Sequence, residues 1–116
     1  FADMVRVPAL EEYSAQLIGE LGRTIAPVTP PMGSSDVGNV SYHCPAIQPL
    51  LTIGETFYAL HTPEFREETI KEPAHQAIAD GAKLLGSLVL RALTDEEFRD
   101  AAQKSYLAQK EKKLNP

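Results

Sequence analysis

The sequence predicts an α/β fold that is rich in helix and contains one buried strand. Apolar residues recur at three- and four-residue intervals over residues 10–21 and again over residues 74–89, which is the period of one helical face. Between these segments, residues 49–53 are rich in branched side chains and are followed by Gly54, a pattern typical of a buried strand. We therefore expect the order helix, loop, strand, loop, helix, helix.

The first predicted helix has a start signal and a stop signal. Pro8 suits the first helical turn, where its missing backbone N–H costs nothing. Gly22 directly follows the last apolar residue of the periodic pattern and is typical of a helix end. Residues 26–39 contain three prolines and two glycines among small polar residues, so they predict a loop.

The last two predicted helices meet near residue 94. The longer one is expected to start at Pro73 and to end near Leu93, with its apolar face well buried. Thr94 and Glu97 have the spacing of a capping box, and Leu93 and Phe98 have that of a hydrophobic staple. We therefore expect the final helix to begin at Thr94.

A lone strand leaves its backbone hydrogen-bonding groups without partners, because a buried strand normally lies between neighbours in a sheet. The chain offers few other segments that could form strands, and it begins at Phe1 rather than at Met. Both features lead us to expect an incomplete domain. Residues 1–7 then form a linker, and residues 8–116 form one continuous part of that domain.

Composition narrows the classes of function. The chain has 116 residues, enough for one domain, and a net charge of -5 with both signs mixed along its length. An acidic chain without a basic stripe is a poor partner for nucleic acid, and no apolar run approaches the ~20 residues of a membrane span. Its single cysteine, Cys44, cannot form an internal disulfide. We expect a cytoplasmic protein that binds neither nucleic acid nor membranes.

The sequence GSSDVGNVS, residues 33–41, is the first candidate binding segment. Its glycines and small polar side chains would let backbone N–H groups approach a ligand closely. The candidate substrate-binding residues are Gly33, Ser35, Asp36 and Asn39. The composition alone favours an ordinary turn in which Asp36 caps a short helix. The glycine spacing does not match a dinucleotide-binding fingerprint.

The second candidate is His61, in the sequence ALHTPEF at residues 59–65. It follows the predicted strand, and the loops after strands are where open α/β sheets place their ligands. A neutral imidazole is a common metal ligand, and Pro63 would stiffen the loop behind it. Taken alone, however, a single loop histidine is more often an ordinary surface residue than a metal ligand.

Together, these segments resemble a known family. GSSDVGNVSYHCPAI, then LLTIG, then ALHTPEF, then a long Ala/Leu helix are similar to the C-terminal part of the aminoacylase-like zinc peptidases. The nearest branch contains amidohydrolases related to hippurate hydrolase, aminobenzoyl-glutamate hydrolase and the hydrolases of auxin conjugates and dipeptides. The resemblance implies a three-layer α/β/α catalytic domain with an inserted lid domain. Residues 1–7 would return from the lid, and residues 8–116 would be the C-terminal segment of the catalytic domain.

The resemblance also implies chemistry. The family hydrolyses the amide bond of N-acyl amino acids, dipeptides or related conjugates, with divalent metals, zinc or manganese, that polarise the carbonyl and activate water. His61 matches the family's last metal ligand. Asp36 and Asn39, with Gly33 and Ser35 beside them, match the loop that lines or braces the active site.

Departures from the family pattern limit what this chain is expected to do alone. The family's other metal ligands and the glutamate that acts as base have no match here, and Gln48 stands where close relatives often have His. We expect a fragment that is inactive alone and holds a metal weakly. Its partners would be the remainder of the catalytic domain, a small amide or peptide substrate, and other copies of itself. Two alternatives stay open: a protein-interaction module derived from such an enzyme, or a small stand-alone enzyme or ligand-binding domain built on residues 33–39.

Overall fold

The computed structural model describes residues 1–26 and 33–115, and five α-helices lie within these residues. Three long helices pack against one another in all three pairs, and two short helices lie in the connection between the first and second long ones. The helices are α1 (Pro8–Glu20), α2 (Val37–Ser41), α3 (Pro63–Glu68), α4 (Glu72–Thr94) and α5 (Glu96–Leu114).

The predicted α/β fold is wrong, and with it the three-layer α/β/α architecture, because residues 1–26 and 33–115 contain helices and no strand. The predicted strand at residues 49–53 is irregular backbone. Leu51 of this segment lies beside Gly81 of α4, and the nearby Ile47 packs against the core, whereas Leu50 is more than half exposed. A short run of branched residues shows only that a segment packs against apolar surface, and a strand also requires a neighbouring strand for its backbone.

The predicted limits of α1 are confirmed. Pro8 is its first residue, and the backbone N–H groups of Leu10 and Glu11 donate to the Val7 carbonyl. The chain leaves the helix through Gly22, whose φ of +78° lies in the left-handed region that glycine tolerates without steric cost.

The main core lies where the three long helices meet. Leu17 of α1, Leu84 and Leu88 of α4, and Phe98 of α5 are buried together there. At one edge of this core, the rings of Tyr13 and Phe98 pack edge to face with their centroids 5.2 Å apart.

A second, smaller cluster fixes the first seven residues, which we call the entry segment. Val5 and Val7 are almost fully buried, and they pack against Ala102 and Tyr106 of α5. The entry segment is therefore part of the folded structure although it has no regular secondary structure.

The junction between α4 and α5 corrects the predicted capping box. Thr94 is the last residue of α4, where its hydroxyl donates to the Leu90 carbonyl. The residue that caps α5 is Asp95, whose carboxylate accepts from the Phe98 backbone N–H at 2.9 Å and from the Arg91 side chain at 3.1 Å. These two bonds, the first of them the stronger influence, hold the pKa of the Asp95 carboxyl below its ordinary value.

An ion pair joins α4 to the segment that follows α1. The Nε of Arg23 donates to a carboxylate oxygen of Asp80 at 2.8 Å, and its Nη1 donates to the Thr52 carbonyl at 3.0 Å. Gln76 donates to the other Asp80 oxygen. The Arg23 and Gln76 hydrogen bonds hold the pKa of the Asp80 carboxyl below its ordinary value. Arg23 thus keeps the irregular segment around Thr52 in place without a sheet.

Candidate functional site

The candidate substrate loop contains α2, and its side chains have different surroundings. Gly33 and Asp36 are exposed, and Ser35 is half-buried. Asp36 occupies the residue before α2, but its side chain makes no capping hydrogen bond. The Ser35 hydroxyl instead accepts from the Val37 backbone N–H at 3.2 Å. The short helix expected after Asp36 is present, and Ser35 rather than Asp36 binds its first N–H.

The Asn39 side chain makes a structural contact. Its side-chain carbonyl oxygen accepts a hydrogen bond from the Ala2 backbone N–H at 3.1 Å, which joins the loop to the entry segment. This contact braces the loop against the entry segment, and the role of Asn39 at an active site stays a prediction.

Sequence reasoning missed two residues of the same loop, Gly38 and Ser41. Ser41 is fully buried; its hydroxyl accepts from the Val5 backbone N–H at 2.9 Å and donates to the Gly38 carbonyl at 2.6 Å. A Cβ atom on Gly38 would lie only 1.9 Å from the Ala2 carbonyl oxygen, so a side chain does not fit there. The small residues of GSSDVGNVS could have indicated this contact, because glycine marks positions where another backbone comes close.

The end of α5 closes over the same contact. Asp3 accepts hydrogen bonds from the Tyr42 hydroxyl, at 3.0 Å, and from the Lys113 ammonium, which also donates to the Met4 carbonyl at 2.8 Å. Lys113 and then Tyr42 hold the pKa of the Asp3 carboxyl below its ordinary value. Entry segment, candidate loop and α5 are therefore joined at one place.

His61 lies in a separate, tightly specified turn. Its side chain is exposed and its φ is +64°, a left-handed conformation that is uncommon for residues other than glycine. Thr62 fixes the turn through one hydroxyl, which donates to the Ala59 carbonyl at 2.7 Å and accepts from the Phe65 backbone N–H at 3.2 Å. Pro63 then opens α3. Thr62 and Pro63 therefore start this short helix together, with Thr62 as its cap.

The predicted site residues thus fall into two groups on different elements. Gly33, Ser35, Asp36 and Asn39 surround the start of α2, whereas His61 precedes α3. Within the part of the chain that the structure describes, no group of three or more His, Cys, Asp or Glu side chains could hold a metal ion.

Two shallow cavities lie elsewhere on the molecule, and neither is lined by a predicted site residue. One, of about 360 Å³, lies between α1 and the α4–α5 junction and has Tyr13, Arg91 and Phe98 in its wall. The other, of about 260 Å³, lies between α4 and the irregular segment, with Pro49, Leu51 and Leu85 in its wall.

The Arg91 charge at the first cavity is already paired within the fold. The Arg91 guanidinium lies over the rings of Tyr13 and Phe98, 4.2 and 4.6 Å from their centroids, and it is bound to Asp95. Arg91 therefore joins α1, α4 and α5 and explains the packing at this cavity without a ligand.

A search for known proteins like this one supplies no family name. The chain matches no protein-family model, no curated protein and no solved structure. Over residues 1–26 and 33–115, no helix has the length and apolar character required to cross a membrane. Any assignment of function therefore depends on the motifs and on the geometry of the residues that carry them.

Proposed function

We propose that this chain is part of a metal-dependent amidohydrolase that hydrolyses the amide bond of N-acyl amino acids, dipeptides or related conjugates. It contributes His61 as one metal ligand and residues 33–39 as a substrate loop. The remaining ligands and the catalytic base come from the remainder of the enzyme, so the chain is inactive alone. A cytoplasmic location fits its one unpaired cysteine, Cys44.

The observation that carries the proposal is the backbone of His61. A left-handed backbone at a residue other than glycine costs free energy and persists where surrounding bonds over-determine it; such residues cluster at ligand-binding sites. Here the Thr62 hydroxyl makes the two bonds that maintain the turn, and the imidazole remains exposed. The HTP sequence that resembles the family's metal-binding segment thus has a defined local structure that presents its histidine.

His61 would supply one of the ligands that a zinc or manganese site requires. An exposed imidazole whose backbone is fixed is a suitable first ligand, and a catalytic site needs about three protein ligands. The metal would polarise the amide carbonyl and lower the pKa of a bound water. In the substrate loop, Gly33 and Asp36 are exposed and Ser35 is half-buried, while Asn39 holds the loop to the entry segment.

The test compares His61→Asn with the unchanged residue in the polypeptide that the source gene encodes around this chain. Asparagine tolerates a left-handed backbone, so His61→Asn removes the imidazole with little change in the turn. We expect loss of metal from the purified protein and a fall of at least ~100-fold in hydrolysis of an N-acyl amino acid.

Two further histidines supply the matched controls. His43 and His75 are both exposed and match no metal-binding motif, so His43→Asn and His75→Asn should leave metal content and activity unchanged. Equal loss of metal in all three variants, or full activity in His61→Asn, would reject His61 as a ligand.

A second candidate function is a protein-interaction module, and the outer face of α4 favours it. Ile78, Leu85, Val89 and Leu93 are each more than half exposed, at the spacing of one helical face. Ala82 and Gly86 lie among them and are small enough for another helix to approach closely. This line of six residues carries no charge, so two copies of the chain could meet along it without burying one.

The two functions differ in what covers this face. In the amidohydrolase, the remainder of the enzyme covers it, and self-association of the isolated chain is a consequence of its exposure. In the interaction module, pairing is the function and persists in the polypeptide that the source gene encodes. Sedimentation velocity of the isolated chain and of the encoded polypeptide distinguishes the two functions. The enzyme is supported if the isolated chain associates while the encoded polypeptide is monomeric and contains metal. The module is supported if the encoded polypeptide itself associates and contains no metal.

A further inference from the structure

The entry segment and the candidate substrate loop satisfy each other's hydrogen bonds. The backbone N–H groups of Ala2 and Val5 donate to side chains of Asn39 and Ser41 in the loop, at 3.1 and 2.9 Å. The second of these bonds is buried. A buried N–H that loses its partner costs the full desolvation penalty of that group, so the segment and the loop stabilise each other.

The contact is also tightly packed. Gly38 lies so close to the Ala2 carbonyl that a Cβ atom does not fit between them, and Ser41 has no exposed surface. Val5 and Val7 cover Tyr106 and Ala102 of α5 in the same place. If the entry segment moved away, it would uncover these apolar side chains and the Ser41 hydroxyl together. Such a contact is engaged or separated as a unit.

Charges at the exposed rim act on the same contact. Lys113 binds both the Asp3 carboxylate and the Met4 carbonyl, and Lys110 donates to the Tyr42 carbonyl just after α2. The last turns of α5 therefore hold the entry segment on one side and the end of the loop on the other. Reversing the signs of Asp3 and Lys113 keeps their ion pair and loses the bond from Lys113 to the Met4 carbonyl.

We propose that the entry segment controls the conformation of residues 33–41: when seated it holds the loop ordered, and when displaced it releases the loop. Asn39 and Ser41 are positioning residues in this arrangement. That the released loop is a substrate loop rests on the proposed function.

Amide hydrogen exchange, measured by NMR on the whole chain without metal, tests the proposal. The reporters are the amides of Val40 and His43, which donate within the loop to Asp36 and Val40. Ser41→Ala removes the partner of the Val5 N–H and also the bond to the Gly38 carbonyl within the loop, so we expect these two amides to exchange at least about tenfold faster. Ser34→Ala, an exposed change in the same loop, should leave their rates unchanged.

A charge reversal separates control by the entry segment from general destabilisation. Asp3 is exposed, so Asp3→Lys should not unfold the core, yet it should speed exchange at Val40 and His43 while amides in the middle of α4 keep their rates. The double variant Asp3→Lys/Lys113→Glu should restore at least half of the lost protection. Unchanged loop exchange in Asp3→Lys, or equal acceleration throughout α4, would overturn the proposal.

The outcome is independent of the metal assay. Coupled exchange in a protein from which His61→Asn removes no metal would reject the proposed amidohydrolase and keep the control of the loop by the entry segment. Metal binding at His61 with uncoupled exchange would do the reverse.

Discussion

Gly38 and Gly86 are both helical glycines, but a side chain has room at only one of them. A Cβ at Gly38 would overlap the Ala2 carbonyl, whereas a Cβ at Gly86 would meet nothing within 4 Å. We expect Gly38→Ala to lower the free energy of unfolding by about 1–3 kcal/mol, because the segment must shift. Gly86→Ala should raise it by up to ~1 kcal/mol, through helix propensity. Urea denaturation of both variants measures the difference, and equal effects would contradict the close approach.

The lowered pKa of Asp80 predicts how the stability of the fold depends on pH. Because its pKa is lowered in the folded protein, the Arg23–Asp80 pair stabilises the fold fully above the ordinary carboxyl pKa of about 4. That stabilisation is lost as the pH falls through the lowered value. Asp80→Asn should therefore be less stable than the unchanged protein at pH 7, and the difference should shrink below about pH 4. Asp100→Asn, at an exposed position of α5, is the control for urea midpoints measured from pH 7 to pH 2.5.

At the scale of elements, the α4–α5 junction shows what periodicity can and cannot locate. Thr94 and Glu97 have the spacing of a capping box, yet Asp95, one residue later, makes the capping bond. Both residues are good caps, and the choice depends on Arg91, which binds the Asp95 carboxylate from the preceding turn. Asp95→Ala should therefore lower the melting temperature more than Thr94→Ala does. Circular dichroism measures both, and the reverse order would contradict the assignment of the cap.

The distance along the chain between contacting residues explains which elements could be predicted from the sequence. The start of α1 at Pro8 and its end just before Gly22 depend on bonds within a few residues, so they could be predicted from the sequence. The predicted strand at residues 49–53 failed because its environment is set by distant residues, Arg23 and the surface of α4. The partner of Asn39 was also out of reach, since Ala2 lies 37 positions away.

For the molecule as a whole, α4 has two apolar faces and the fold covers one of them. Sequence periodicity predicted one well-buried apolar face. Ala74, Ala77, Leu84 and Leu88 are buried as expected, but the prediction is wrong for Ile78, Leu85 and Val89, which are each more than half exposed. The exposed line of residues from Ile78 to Leu93 spans about 22 Å, which is unusual for a stable monomer. The packing of α1, α5 and the irregular segment therefore covers one side of the helix, and the line from Ile78 to Leu93 is available to another surface.

The exposed face of α4 predicts how the isolated chain behaves in solution. We expect the isolated chain to self-associate at micromolar concentrations, and we expect Leu85→Glu to shift it toward monomer, because the charge would be desolvated at the centre of the face. Leu107 of α5 is similarly exposed but lies outside the face, so Leu107→Glu is the matched control and should associate like the unchanged chain. Sedimentation velocity over a concentration series gives the result. A chain that stays monomeric, or two variants that behave alike, would show that the α4 face does not drive association.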